Sequence, residues 1–216
     1  YKRQSISSEV APEIREYERF STTVCNAYVQ PLMASYLGKI KAGLEGKDIK
    51  SPFLLITSGG GLTTLETASK FPIRLVESGP AGGAILASKV SSQIGSNASL
   101  SFDMGGTTAK LCLIDSSEPR ISRQFEVDRS YRFKKGSGLP LKIPVIEMLE
   151  IGAGGGSIAH VDKMDRIKVG PESAGSSPGP ACYDLGGNQP TVTDADLLQG
   201  RMVIKNFPFF LNTDLG

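Results

Sequence analysis

Histidine is almost missing from this sequence: of 216 residues, only His160 is one. That scarcity excludes a histidine-built metal cluster and leaves a single home for any Ser-His-Asp relay. Cysteine is scarce as well. Cys25, Cys112 and Cys182 are odd in number, lie far apart and form no CxxC pair, so they read as reduced thiols of a cytoplasmic protein. There is no run of ~18 apolar residues for a membrane span. The opening YKRQSISSEV has no hydrophobic stretch behind its charges, so no signal peptide is read there. No basic tract offers nucleic acid a footprint, and 24 Lys and Arg nearly balance 22 Asp and Glu. The chain begins without Met and stops at LNTDLG, which predicts a piece of a longer polypeptide.

Glycine is what stands out. The chain has 25, well above the usual ~7%, and they gather at Gly59–Gly61, Gly79–Gly83, Gly105–Gly106, Gly152–Gly156 and Gly170–Gly187. The remainder, 39% hydrophobic and 21% charged, describes an ordinary globular protein with room for one domain or two small ones.

Along the chain, Gln4–Ser7 is expected to be a strand and Pro12–Arg19 a charged helical turn. Ser21 or Thr22 is the expected cap of a helix running to about Gly43. Val24, Tyr28, Leu32, Tyr36 and Ile40 recur every four residues as its buried stripe, and Pro31 is expected to kink it. Phe53–Ile56 reads as a buried strand. A glycine turn, a helix over Thr63–Lys70, a strand over Ile73–Glu77, a second glycine turn and the helix AILASKVSSQI follow. This alternation predicts α/β layers. Leu100–Asp103, Lys110–Ile114 and Ile121–Val127 then read as strands on short turns, so a parallel unit runs into an antiparallel meander: a mixed sheet with flanking helices. Lys142–Ile151 is a further strand, and Ile158–Val161 with Arg166–Val169 a hairpin. Residues 170–192 look irregular. Thr193 or Asp194 is the expected cap of a helix over Ala195–Gln199 that Gly200 stops.

The stretch SFDMGGTTAK carries the clearest chemistry. Glycines let a main chain approach a phosphate with its amides inward. Hydroxyls can donate to phosphate oxygens, and a carboxylate at the strand end can order Mg²⁺-bound water. Asp103, Gly105, Gly106, Thr107, Thr108 and Lys110 suit those roles in that order. A plain hairpin whose glycines satisfy turn geometry explains the pattern equally well. It is neither a Walker loop nor a Rossmann fingerprint.

The other turns read more simply. Ser78–Gly83 opens a helix, and close packing explains it as well as anion binding. Gly152–Ser157 ends a strand bearing Glu147 and Glu150, which alternation places on opposite faces. His160 reads as a surface or structural histidine, and Asp194 as a capping residue, with Asp196 nearby. The cysteines read as small core residues.

Taken as an ordered series, the blocks SSEVAPEIREYERFSTTVCNAYVQPLM, ITSGGGL, ESGPAGG, FDMGGTTAK, VIEMLEIGAGGGSIAHVD, VGPESAGSSPGPACY and GNQPTVTDADLLQGRM resemble the hydantoinase A/5-oxoprolinase family. The resemblance implies an RNase H-like fold of the actin, Hsp70 and sugar-kinase ATPase type, of which residues 1–216 would be a partial domain. Such ATPases use two phosphate loops, and SFDMGGTTAK resembles the second. The resemblance implies ATP and Mg²⁺ as cofactors. Asp103 would order the metal's water, Gly105–Thr108 would hold phosphate, and Lys110 would add positive charge. Gly154, Gly155 and Gly156 are further candidates for nucleotide contact, although their block is out of place for an adenosine turn.

For complete members the resemblance implies ATP-dependent opening of a hydantoin or 5-oxoproline ring through a phosphorylated carbonyl. Related members carboxylate acetone or acetophenone, and a hydantoinase B-like second subunit or domain is the expected partner. Many relatives carry Asp-Ile-His where this chain has Glu147-Met148-Leu149, which removes a candidate ligand. A hydrolase, a carboxylase subunit and a non-catalytic interaction domain all stay open on sequence alone, and little turnover is expected from these residues by themselves.

Overall fold

The computed structural model describes residues 4–131, 134 and 136–203. Its elements are α1 (Ser7–Val10), α2 (Glu16–Glu45), β1 (Leu54–Ile56), β2 (Leu62–Thr64), α3 (Leu65–Lys70), a 3₁₀ turn at Pro72–Leu75 and α4 (Ser78–Gln93). The strands β3 (Ala98–Met104), β4 (Ala109–Asp115), β5 (Glu118–Pro119), β6 (Ile121–Ser122), β7 (Phe125–Val127), β8 (Leu139–Leu141), β9 (Val145–Ile146), β10 (Leu149–Ile151), β11 (Ser157–Val161) and β12 (Ile167–Ser173) follow. A 3₁₀ turn at Ala181–Tyr183 and α5 (Val192–Leu198) complete the series. The chain divides into two units, one running to Ser101 and resuming over Cys112–Glu147, the other made of Phe102–Leu111 and the chain from Met148 onward.

In the first unit, α2 is one 30-residue helix that continues through Pro31. It starts earlier than the sequence suggests: Arg15 is its N-cap and gives no side-chain cap bond. Ser21 and Thr22 instead lie within it. Their hydroxyls bond back to the Glu18 carbonyl at 3.0 and 2.6 Å, a habit of Ser and Thr inside helices. Both also reach across to another segment: Ser21 donates to the Pro140 carbonyl, and Thr22 accepts the Lys142 amide at 2.8 Å. One turn on, the Asn26 amide group donates to the Lys70 carbonyl at 3.1 Å and its oxygen accepts the Ile73 amide at 3.3 Å.

The face of α2 that packs inward is thus largely polar: Ser21, Thr22 and Asn26 are buried beside Leu37. The expected buried stripe is not buried. Val24, Tyr28, Leu32 and Tyr36 are 67%, 85%, 75% and 55% exposed. Polar groups win the interior because each one pairs with backbone that otherwise lacks a partner.

Several expected elements change type for similar local reasons. Gln4–Ser7 is not a strand; Ser7 opens α1 instead. The expected strand at Ile73–Glu77 is a 3₁₀ turn, with Pro72 at its first position and the Ile73 amide held by Asn26. After the glycine turn β1 pairs antiparallel with β2, Leu54 opposite Thr64, before the expected helix, which starts at Leu65 and ends at Lys70 as α3. Leu54 and Ile56 remain substantially exposed, so β1 is no buried central strand. Among the described residues every strand pair with a defined register is antiparallel, so the expected parallel portion is absent from them. The core of this unit gathers Val10, Ile73, Leu141, Ile143 and Val145, with Phe71 and Phe125 against it.

The second unit contains the outer halves of β3 and β4, joined by residues 105–108. β10 pairs antiparallel with β4, so that Leu149 faces Leu111, Glu150 faces Lys110 and Ile151 faces Ala109. The expected strand over Lys142–Ile151 is broken between β9 and β10. The expected hairpin is present: β11 pairs with β12, His160 opposite Lys168, with a bulge between Ser157 and Ala159. Cys182 and Leu197 form a small core with Tyr183 and Met202 against it.

Candidate functional site

The tip between β3 and β4 is a tight closure. The Gly105 amide donates to the Thr108 carbonyl at 2.9 Å, which fixes the four-residue turn. Asp103 is the penultimate residue of β3 and is exposed, as are Gly105, Gly106 and Thr107. Among the described residues, the amides of Gly106 and Thr107 and the hydroxyls of Thr107 and Thr108 have no hydrogen-bond partner. Four donors therefore lie within one largely exposed turn that follows Asp103 in the chain. Chemically, such a turn can take an anion with several oxygens.

Gly154, Gly155 and Gly156 lie directly against this tip. The Gly155 amide donates to the Gly105 carbonyl at 2.9 Å, and the Gly156 amide to the Gly106 carbonyl at 2.7 Å. A side chain cannot enter here: a Cβ on Gly154 would stand 2.6 Å from the Thr107 nitrogen and 2.7 Å from the Gly105 oxygen. The Gly154 amide in turn donates to the Ser157 hydroxyl at 2.8 Å. All three glycine amides are committed inside the protein, so this turn supplies a brace for residues 105–108 and no free amides of its own.

Behind the brace stands the N-terminus of α5. The Gly155 carbonyl accepts both the amide and the hydroxyl of Thr193, each at 2.8 Å. The cap of α5 is Thr191, two residues before Thr193 and three before Asp194. A capping box forms in which Thr191 and Asp194 bond reciprocally. Asp194 is buried, and its carboxylate accepts the Thr191 amide, the Thr191 hydroxyl and the Cys182 amide, each at 2.8 Å. Burial pushes its pKa up, but hydrogen bonds from Cys182 and Thr191 outweigh burial and leave it below the ordinary value. The Cys182 thiol, buried and facing that carboxylate, is pushed up to about 12. These two groups hold structure and are not candidates for chemistry.

Of the expected site residues, the structure brings Asp103, Gly105, Gly106, Thr107, Thr108, Gly154, Gly155 and Gly156 together in one unit. Lys110 is in the same unit but stands opposite Glu150 in the β4–β10 pair, so a carboxylate counters its charge. Glu147 belongs to the other unit and donates its amide to the Arg120 carbonyl at 2.8 Å. His160 is exposed on β11, and Asp196 pairs with Arg201 at 3.3 Å. Among the described residues no cluster of three or more His, Cys, Asp or Glu side chains could hold a metal alone. None of their helices is long and apolar enough to cross a membrane. Sequence reasoning missed Thr193 as the link to Gly155 and Ser157 as the partner of Gly154. The Thr-x-x-Asp spacing of Thr191 and Asp194, a capping-box signature, was legible.

The family model for hydantoinase/oxoprolinase matches residues 19–214. The chain belongs to that family. It is 44% identical over 91% of its length to an uncharacterized protein of Methanocaldococcus jannaschii, spanning 29% of that protein. It is 39% identical to the caprolactamase subunit alpha of Pseudomonas jessenii, over 89% of this chain and 26% of that one. Against the 5-oxoprolinase of Saccharomyces cerevisiae it is 36% identical, over 94% of this chain and 15% of that one. The chain thus spans less than a third of these curated relatives. Among solved structures, an acetone carboxylase in its nucleotide-free form matches with a TM-score of 0.74 at 27% identity, over 95% of this chain and 28% of that one. The ATP-dependent caprolactamase of Pseudomonas jessenii matches with a TM-score of 0.62 at 34% identity, over 95% and 29%. The arrangement of helices and antiparallel strands is shared with these two.

Proposed function

We propose that this chain supplies a phosphate-gripping loop to an ATP-dependent enzyme that opens cyclic amides, within an RNase H-like ATPase fold. One observation carries the reading: residues 105–108 form an exposed turn whose Gly106 and Thr107 amides and Thr107 and Thr108 hydroxyls are left unpartnered among the described residues, while the Gly155 and Gly156 amides hold the Gly105 and Gly106 carbonyls. A preorganised set of donors stabilises developing phosphoryl charge with little reorganisation. The relatives' names support the substrate class, since a caprolactamase and a 5-oxoprolinase both act on cyclic amides.

The residues fit a nucleotide phosphate with its Mg²⁺. Magnesium keeps several waters and shares oxygens with phosphates, so it needs few protein carboxylates; the exposed Asp103 suffices to orient a metal-bound water. ATP supplies a phosphoryl group that makes the amide carbonyl a better electrophile. Its γ-phosphorus–oxygen bond breaks to release ADP as a bond to the carbonyl oxygen forms. A first water would add to the carbon, the ring C–N bond would break with protons going to nitrogen, and a second water would cleave the acyl phosphate left behind, giving the carboxylate and free phosphate. In this account Gly106 and Thr107 donate amides, Thr107 and Thr108 donate hydroxyls, and Gly154–Gly156 fix the turn without touching the nucleotide. The residues that meet the ring, and a hydantoinase B-like partner subunit, are assigned to the longer assembly.

A second reading has its own observation. The acetone carboxylase structure fits this chain with a higher TM-score than the caprolactamase does, although its sequence is less similar. There the same loop would serve phosphorylation of an enolate. Supplying the full-length enzyme with ATP and either a lactam, 5-oxoproline or hydantoin, or acetone with bicarbonate, decides between them. ADP release coupled to ring opening supports the hydrolase, coupling to ketone and bicarbonate supports the carboxylase, and ADP release with neither refutes both.

A further inference from the structure

Helix α2 is built inside out. Its interior face is made by Ser21, Thr22 and Asn26 with Leu37, and its exterior face carries Phe20, Val24, Tyr28, Leu32 and Tyr36. Between Arg19 and Lys39 the sequence contains no charged residue, so about 27 Å of helix at ~1.5 Å per residue meets the exterior without one. Ordinary solvent-facing helices carry Lys and Glu there, and single exposed apolar residues need no explanation, whereas a continuous stripe of this length does.

The stripe also has a shape. Phe20, Val24, Tyr28, Leu32 and Tyr36 form a ridge at every fourth residue, and beside it the exposed Ala27, Pro31 and Ser35 form a low row at the same spacing. A tall fourth-residue ridge next to a shallow groove is the surface onto which another helix packs by ridges into grooves. A membrane-surface helix would instead carry Lys and Arg on its flanks, and residues 20–38 have none.

We propose that this face of α2 is the seat of an apolar helix from the remainder of the same polypeptide. The length of the relatives' further chain points to that occupant. The relatives that share this segment devote only 29%, 26% and 15% of their chains to it. In each, most of the protein is further chain on the same polypeptide, whether the relative is called a subunit or a whole enzyme. A covered α2 accounts for its uncharged ridge, for the polar bonds that leave this ridge facing out, and for the absence of charged residues along five turns.

The test uses the full-length polypeptide that carries these residues. Leu32→Cys and Val24→Cys are labelled with a maleimide, with Lys47→Cys in the exposed turn after α2 as the reference. Hydroxyl-radical footprinting of Tyr28 in the unsubstituted protein guards against a variant that misfolds. The inference expects both cysteines to react at least about tenfold slower than the reference, as burial in a stable contact requires, and Tyr28 to be shielded, in a monomer at any dilution. Reaction at the reference rate with an unshielded Tyr28 overturns it. Protection that disappears on dilution, as a dimer separates, assigns the face to a second copy and overturns it too. So does protection that appears only when a separate subunit is added.

Discussion

The amide of Gly155 donates to the carbonyl of Gly105 at 2.9 Å. Through that bond the backbone of one glycine turn sets the backbone of another. The carbonyl of Gly155 is held by Thr193, so the geometry of residues 105–108 is tied to the start of α5. A loop that grips phosphate benefits from such rigidity, because a donor misplaced by an ångström loses most of its catalytic value.

Substituting Gly154 tests the brace. A Cβ at that position stands 2.6 Å from the Thr107 nitrogen, so Gly154→Ala pushes the turn away at a cost of about 1–3 kcal/mol. ATP affinity of the full-length enzyme, followed by calorimetry, is expected to fall by roughly tenfold or more. Unchanged affinity would separate the brace from the nucleotide.

Thr193 is expected to act as a positioning residue. Thr193→Val removes its hydroxyl bond to Gly155 and leaves its amide bond in place, a change of about 1 kcal/mol. KM for ATP should rise several-fold with little change in melting temperature, and Thr193→Ser should restore it. A variant that loses stability without changing KM would show a purely structural threonine.

Asp194 sets an acid limit to stability. Its folded pKa lies below the ordinary carboxylate value, so its contribution is complete above an unfolded pKa of ~3.9 and fades as pH falls through the folded value. Asp194→Asn should cost about 2–4 kcal/mol near neutrality, because three donors lose a charged acceptor. Thermal melts from neutral pH downward should show the gap between variant and parent narrowing at the acid end.

Cys182 sets the opposite limit. A thiol raised to about 12 stabilises the fold fully below the unfolded value of ~8.5, and that contribution disappears as pH rises toward the folded one. Melting temperature should therefore fall with pH above ~9 more steeply in the parent than in Cys182→Ala. Equal slopes would mean that the thiol titrates normally.

Several parts of this architecture were legible in the sequence because local chemistry decides them. The β11–β12 hairpin, the helix opened by Ser78–Gly83 and the strands on either side of Gly105–Gly106 all follow from turn residues and apolar runs. The site turn itself was legible for the same reason: Asp103, the glycines and the threonines occupy consecutive positions. What sequence could not give was partnership across the chain. The fourth-residue period of Val24, Tyr28, Leu32 and Tyr36 announces an apolar face but not what covers it, and within this unit Asn26 and Thr22 claim the interior. Ile73–Glu77 reads as a strand until Asn26 captures the Ile73 amide. Gly154–Gly156 read as ligand contacts until their amides are seen to bond Ser157 and the Gly105 and Gly106 carbonyls.

The central claim is that residues 103–108 meet nucleotide phosphate, and a titration with ATP and Mg²⁺ of the full-length protein tests it most directly. Thr107→Val should weaken ATP binding by roughly tenfold, the loss of about one hydrogen bond to a charged group. Asp103→Asn should leave metal-free ATP binding nearly intact while abolishing most of its enhancement by Mg²⁺. If both variants bind ATP–Mg²⁺ as the parent does, with unchanged melting temperatures, the turn is only a hairpin tip and the phosphate-loop account is wrong.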